Sequence, residues 1–166
     1  IGTPPDGELE HHSSFIYLRY FHGPRFQSHG GVLRGIEDGV DGIALMRHQL
    51  PATDQFALES DGEEVLLDAL PMLIEAGFQN AGLSAMESDG YSSLPIGIEW
   101  STMLRVPEPE ERLRVRSVKV GSEDSGVTIH DVVIVGDDDA PVLSLKGLRL
   151  KAMGEVPEEQ RFSLQR

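Results

Sequence analysis

The chain contains no cysteine, so neither a disulfide framework nor a thiolate-bound zinc is open to it. No apolar run approaches the roughly 20 residues that a membrane-spanning helix needs. Cations are scarce: 14 Lys and Arg stand against 28 Asp and Glu, for a net charge of −14 at pH 7. Nucleic-acid phosphates are gripped by clustered cations. The one basic row here, Arg112, Arg114 and Arg116, has the period of two that fits a solvated strand face. The start, Ile1-Gly-Thr-Pro-Pro-Asp, has neither an initiator Met nor the charged-then-apolar pattern of a signal peptide. The reading is a piece of a longer, cytoplasmic protein with no nucleic-acid and no membrane partner.

At 166 residues the chain supports one domain with a real core. Residues 1–13, rich in Pro, Gly, acids and His, are read as a tail or linker. Residues 154–166 are read as a linker leading out, with Phe162 and Leu164 able to dock, which leaves 14–153 as the domain. Within it the dominant period is two. Residues 32–36 and 40–46 read as strands joined by the turn Glu37-Asp-Gly. A helix follows, with Pro71 at its first position, running to about residue 86 and ended by Ser88-Asp-Gly; residues 63–69 form a preceding turn or short helix. Strand-like runs then cover 94–104, 112–120, 127–135 and 142–150. In the last run the apolar phase slips at Gly147, from Leu143 and Leu145 to Leu148 and Leu150, which predicts a bulge.

The central helix carries Leu73-Ile-Glu-Ala-Gly-Phe-Gln-Asn-Ala-Gly-Leu83. Glu75 and Gln79 are four apart and therefore stack on one face, a turn from each other. The small residues Ala76, Gly77, Ala81, Gly82 and Ala85 let other backbone approach closely. A carboxylate on a buried helix is costly unless it works. A curled antiparallel sheet wrapped around one such helix is the hotdog fold, an α+β class; an open α+β sheet with the helix on one face is the alternative.

Taken in order, several segments resemble the dehydratase domains of polyketide and polyunsaturated fatty acid synthases. Ile16-Tyr-Leu-Arg-Tyr-Phe-His-Gly-Pro-Arg-Phe-Gln27 resembles that family's Tyr-Gly-Pro-x-Phe-Gln segment. Pro71-Met-Leu-Ile-Glu-Ala-Gly-Phe-Gln79 resembles its Pro-x-Leu-Leu-Asp-Ala-x-x-Gln helix, and Ser93-Leu-Pro-Ile-Gly97 the Leu-Pro opening the next strand. Residues 141–150 resemble its last strand. The chain departs twice: Glu75 stands at the family's catalytic Asp, and His22 at the Tyr before Gly-Pro. The family's other catalytic residue is a His in His-x-x-x-Gly-x-x-x-x-Pro. The residues four after His11, His12, His22, His29, His48 and His130 are Phe, Ile, Phe, Leu, Ala and Ile, so that motif is absent.

The resemblance implies the C-terminal half of a double hotdog, a 3-hydroxyacyl-[acyl carrier protein] dehydratase within a multidomain synthase. Elimination of water needs a base for the α-proton and an acid for the departing hydroxyl. The missing His is then the base, on the N-terminal hotdog half, and Glu75 the acid, held protonated by burial in an apolar tunnel. Gln79 either orients that carboxyl or holds the substrate oxygen. His22, Gly23, Pro24, Phe26, Gln27, Leu94 and Pro95 are the implied supporting or substrate-binding residues. The implied partners are that other half and an acyl carrier protein domain, whose 4'-phosphopantetheine arm delivers the thioester; no cofactor is bound directly. A homodimer is open to the isolated half, which alone is expected to be inactive.

Other readings remain at this point. A catalytically degenerate hotdog kept for packing or dimerisation fits the Asp-to-Glu change. A free-standing hotdog acyl thioesterase and a cyclising, aldol-type domain share the architecture. Asp68 is the competing carboxylate, though Met72 rather than Gln lies four residues on, and a first-turn helix acid is the plainer role. Glu75 itself would be a solvated helix residue if the helix lay at the surface. Trp100 and Phe78 are expected in the core, His130 on a solvated face, His11-His12 in the tail, and Asp137-Asp-Asp139 in an acidic turn. Arg25 and Arg34 are weak candidates for a pantetheine phosphate.

Overall fold

The computed structural model describes residues 9–20, 22–23, 26–45, 64–108, 111–160 and 164, the side chains of residues 64–69 and Glu159 excepted. Strand β1 (His11–His12) leads into a short helix α1 (Ser13–Tyr17), then β2 (His29–Ile36) and β3 (Gly39–Ala44). The long helix α2 (Glu64–Asp89) follows, and after it β4 (Tyr91–Gly97), β5 (Trp100–Met103), β6 (Leu113–Glu123), β7 (Val127–Val135) and β8 (Pro141–Glu155). The sheet is antiparallel in the order β1-β2-β3-β6-β7-β8-β4, with β5 pairing β8 beside β4. It curls around α2, which touches β2, β3, β4, β6, β7 and β8. This is the hotdog fold expected from the order of elements.

The core lies where α2 meets the concave face of the sheet. Leu73, Ala76, Ala81 and Ala85 of the helix pack on Leu113, Val115, Val132, Ile134, Leu143, Leu145, Leu148 and Leu150. Each fully buried Leu or Ile contributes about 1.5–3 kcal/mol relative to exposure. The small residues do what their size allows. A Cβ on Gly77 would sit 2.9 Å from Leu145 Cδ1 and 3.3 Å from Val132 Cγ1, so the glycine lets the helix lie this deep without displacing Leu145.

Departures from the sequence reading have local causes. α2 starts at Glu64, which places Pro71 inside it, exposed, rather than at its first position. Leu66, Leu67, Ala69 and Leu70 are good helix formers, and their propensity outweighs the one backbone bond that Pro71 removes. The single expected strand 94–104 is divided into β4 and β5. Their partner β8 shifts register against β7 between Leu148 and Leu145, and Gly147 there has φ +63°, the left-handed conformation of a bulge. Gly147 N–H is held by Asp131 Oδ1 at 3.1 Å.

Residues on both sides of 14–153 make contacts with it. His11 and His12 pair with Val32 and Gly31 of β2 instead of lying in a tail. Val156 and Leu164 are buried beside Ile16, Val32, Val40, Leu83 and Met86. Phe162 and His48 lie outside the described residues. His130, expected toward solvent, is fully buried, because it shares one face of β7 with the buried Val132 and Ile134. Trp100, expected in the core, is 73% exposed on β5. Phe78 packs against the core as expected.

Candidate active site

Gln79 is the hub of a polar cluster on the face of α2 that meets α1 and the segment after it. Its Nε2 donates to Glu75 Oε1 at 2.9 Å, the one-turn contact that the four-residue spacing predicts, and to the Phe26 carbonyl at 2.5 Å. Its Oε1 accepts from Tyr17 O–H at 2.7 Å. With the amide hydrogens on two acceptors and the oxygen facing a hydroxyl, the amide has one sensible orientation. Gln79 is 2% exposed, and its amide is engaged by Glu75, Phe26 and Tyr17.

Tyr17 in turn accepts from the His29 backbone N–H at 2.8 Å, and Tyr20 O–H donates to the Gln79 carbonyl at 2.9 Å. Burial, and secondarily the charge of Glu75, pushes the Tyr17 phenol up; burial likewise pushes up Tyr20. Both phenols therefore stay protonated donors at neutral pH. Gly82 admits Tyr20: a Cβ there would lie 2.5 Å from the Tyr20 hydroxyl.

Glu75 Oε1 also meets His22 Nε2 at 2.8 Å. His22 is held from two sides. Its carbonyl accepts from Gln27 Nε2 at 3.2 Å, and its ring stands edge-on to Tyr20 with centroids 5.3 Å apart. Gly23 and Phe26 close a turn through Phe26 N–H to the Gly23 carbonyl at 2.9 Å, which aims the Phe26 carbonyl at Gln79. The Phe26 ring itself is 57% exposed. The Glu75 side chain is 20% exposed. Its surroundings are an amide, an imidazole and two nearby phenols, so the fully apolar tunnel expected around it is not what encloses it. Both of its contacts fall on Oε1; among the described residues no hydrogen bond reaches Oε2. One carboxyl oxygen is thus clamped from two sides.

Some implied site residues lie elsewhere or outside the described part. Leu94 and Pro95 are exposed on the edge strand β4, and no hydrogen bond or ion pair joins them to the Glu75 cluster. Pro24, Arg25 and the Asp68 side chain are outside the described residues. Arg34 donates to Asp41 Oδ2 at 3.3 Å. Arg116 grips the same carboxylate at 2.6 and 2.8 Å. Burial works against the charge on Asp41, but these guanidiniums win and hold its carboxyl low. The acidic turn is as read: Asp138 caps Ala140 N–H at 3.0 Å and Asp139 pairs with Arg114. No group of His, Asp and Glu among the described residues is arranged to hold a metal.

A second polar chain, missed in the sequence, lies beneath the first. His29 Nε2–H donates to Asn80 Oδ1 at 2.8 Å, while Nδ1 accepts from Gly31 N–H at 3.2 Å. Asn80 Nδ2 donates to the Val40 carbonyl and to Ser117 Oγ, each at 2.9 Å. Burial lowers the pKa of His29 to about 4, which keeps this ring neutral. The chain ties α2 to β2, β3 and β6 and so fixes the helix that carries Glu75. Nothing in the periodicity marks His29, Asn80, Tyr17 or Tyr20; only the adjacency of Asn80 to Gln79 hinted at a polar seam.

Comparisons with known proteins agree with this architecture. A dehydratase domain of a trans-AT polyketide synthase from Brevibacillus brevis superposes with a TM-score of 0.63 at 18% identity, covering 89% of this chain and 50% of that one. The dehydratase domain from the CurF module of the curacin polyketide synthase gives 0.61 at 18% identity with the same coverage. A hypothetical thioesterase from Streptococcus pneumoniae TIGR4, solved with coenzyme A, gives 0.53 at 15% identity, covering 74% of this chain and 85% of that one. The chain thus spans 50% of the dehydratase structures and most of the thioesterase. No curated protein sequence matches it. The family described as "Polyketide synthase dehydratase N-terminal domain" matches residues 12–160, nearly the whole chain, and the chain belongs to that family.

Proposed function

We propose that this chain is the C-terminal hotdog half of a 3-hydroxyacyl carrier-protein dehydratase within a multidomain polyketide or fatty-acid type synthase, with Glu75 as its acid. The observation that carries the reading is the Glu75 carboxyl, clamped through Oε1 by Gln79 and His22. The matched family's description names an N-terminal domain. The order of motifs favours the other half: the acid-bearing helix is here, and the His-x-x-x-Gly-x-x-x-x-Pro base motif is not. The chain's span of 50% of the dehydratase structures leaves room for that second half.

In the reaction, a base on the other half removes the α-proton of the 3-hydroxyacyl thioester. The freed electron pair forms the Cα=Cβ bond as the Cβ–O bond breaks. Glu75 gives its proton to the departing hydroxyl, which leaves as water, and the product is an enoyl thioester. The thioester arrives on the 4'-phosphopantetheine of a carrier domain. Gln79 and Tyr17 act by fixing the carboxyl, since misplacement on the order of 1 Å can cost about 100-fold in rate.

The test uses the intact protein with a 3-hydroxyacyl pantetheine thioester, following loss of water by mass. Glu75→Gln should lower the rate by at least about 100-fold, as expected for removal of a positioned general acid. A Glu75→Gln protein as fast as its parent would remove Glu75 from the chemistry. No turnover by either, across several acyl lengths, would favour a hotdog kept only for packing or dimerisation.

A further inference from the structure

A cavity of about 460 Å³ lies between the last turns of α2 and the ends of β4, β6, β7 and β8, within the size range of small-molecule sites. Ala85 and Asp89, which border it, are ten and fourteen residues beyond Glu75 on the same helix. At 1.5 Å per residue that is about 15–21 Å from the carboxyl cluster, so the cavity is a separate place in the fold. Ala85, Gly126 and Ala152 border it where larger residues would fill it, and Val127 adds apolar wall. The charged groups of the wall are matched within the protein. Lys119 Nζ donates to both oxygens of Asp89, at 2.7 and 2.9 Å, and Glu123 Oε1 accepts from Arg149 Nε at 2.9 Å. Among the described residues the wall therefore carries no uncompensated charge to hold an ion.

What the wall offers instead is hydroxyl protons. Ser93 borders the cavity, and its Oγ is cut off from solvent with no hydrogen-bond partner among the described residues. Thr128, also on the wall, has its Oγ1 3.0 Å from Nε2 of the fully buried His130. Burial, with the Lys119 charge adding to it, lowers the His130 pKa to about 4, so the ring is neutral and carries one proton. Its Nδ1 is buried without a partner among the described residues, and a buried acceptor tolerates that better than a buried N–H. The proton is accordingly assigned to Nε2 and donated to Thr128, which leaves the Thr128 hydroxyl proton for another acceptor. Two hydroxyl donors beside apolar walls match a carbonyl oxygen on an apolar body. We propose that this cavity is a second ligand site, taking a small uncharged carbonyl compound, of which a primary amide is the simplest case. Ser93 and Thr128 donate to its oxygen, and Ala85, Val127 and Ala152 pack on its body. The site stands independently of the dehydratase reading.

The test is methyl NMR of the intact protein, titrated with three probes of one chain length: hexanamide, hexanoate and hexylammonium. Hexanamide should move the methyl resonances of Ala85, Val127, Thr128 and Ala152 with about millimolar affinity, a strength that so small a ligand can reach. The two ions should bind at least about 10-fold more weakly, since burying a charge without a partner is costly. Ser93→Ala should weaken hexanamide about 3- to 10-fold, the worth of one hydrogen bond. Ala152→Leu should abolish the shifts by filling the cavity; Ser93→Ala, which removes a single oxygen, keeps the test available if that larger change prevents folding. No shift of these methyls at about 10 mM hexanamide, weaker than a site of this size allows, would overturn the site. Either ion binding as well as hexanamide would overturn the uncharged class, and parental affinity in Ser93→Ala would overturn the assigned donor.

Discussion

At the scale of single residues, Glu75 and Gln79 were legible because a four-residue spacing on a helix forces contact whatever the fold around it. Their exact surroundings were not legible. The expectation of an apolar tunnel came from the neighbours along the helix, whereas the imidazole that meets Glu75 comes from His22, in a distant segment without regular periodicity. His29 and His130 were misjudged or missed for the same reason: a buried His is recognisable only once its partners are placed. Their burial has a consequence for acid stability. Both have pKa values lowered to about 4, from burial in each case, with the Lys119 charge adding to it at His130. A histidine kept neutral in the folded state contributes stability that is whole above its unfolded value near 6.5 and is lost as pH falls toward 4. For His29 alone the interval corresponds to about 3 kcal/mol, at 1.36 kcal/mol per pH unit. Asp41, held low by Arg116 and Arg34, is lost in the same direction at still lower pH. Urea unfolding at about pH 7 and about pH 4.5 should therefore show a fall of several kcal/mol; a flat profile would contradict the neutral, buried His29.

At the scale of elements, β7 has the bounds expected of residues 127–135. The bulge at Gly147 was legible because the phase of the leucines slips there. Its effect on the neighbouring strand, the division into β4 and β5, was not, since that depends on pairing rather than on local pattern. The joint between α2 and the sheet rests on the His29–Asn80–Ser117 chain, and Gly42 leaves room for it. A Cβ at Gly42 would lie 2.5 Å from His29 Cε1 and 2.8 Å from Asn80 Oδ1. Gly42→Ala should destabilise by about 1–3 kcal/mol through overpacking, and Asn80→Ala by a similar amount through unpaired buried groups. Because this joint fixes the helix under Glu75, both variants should also lose activity below their melting range. Urea midpoints beside dehydration rates will check this; Asn80→Ala at the parent's midpoint would show that the chain is not structural.

At the scale of the whole molecule, the sheet ends on β4, with exposed Leu94 and Ile96 beside Trp100 of β5 and Met153 of β8. An edge with unpaired backbone groups and apolar side chains invites another strand. This is where Leu94 and Pro95 belong: on the edge, not in the Glu75 cluster. The chain by itself should associate in sedimentation experiments, and Ile96→Lys should shift it toward monomer; a parent that is monomeric at micromolar concentration would contradict an adhesive β4 edge. The same architecture serves dehydratases and thioesterases, so fold alone does not choose between them. The choice falls on what happens at the substrate. The most direct measurement offers the intact protein a 3-hydroxyacyl pantetheine thioester and resolves the products. The account predicts an enoyl thioester, with the thioester bond intact and the product absent with Glu75→Gln. Free pantetheine thiol and a 3-hydroxy acid, with no loss of water, would contradict it.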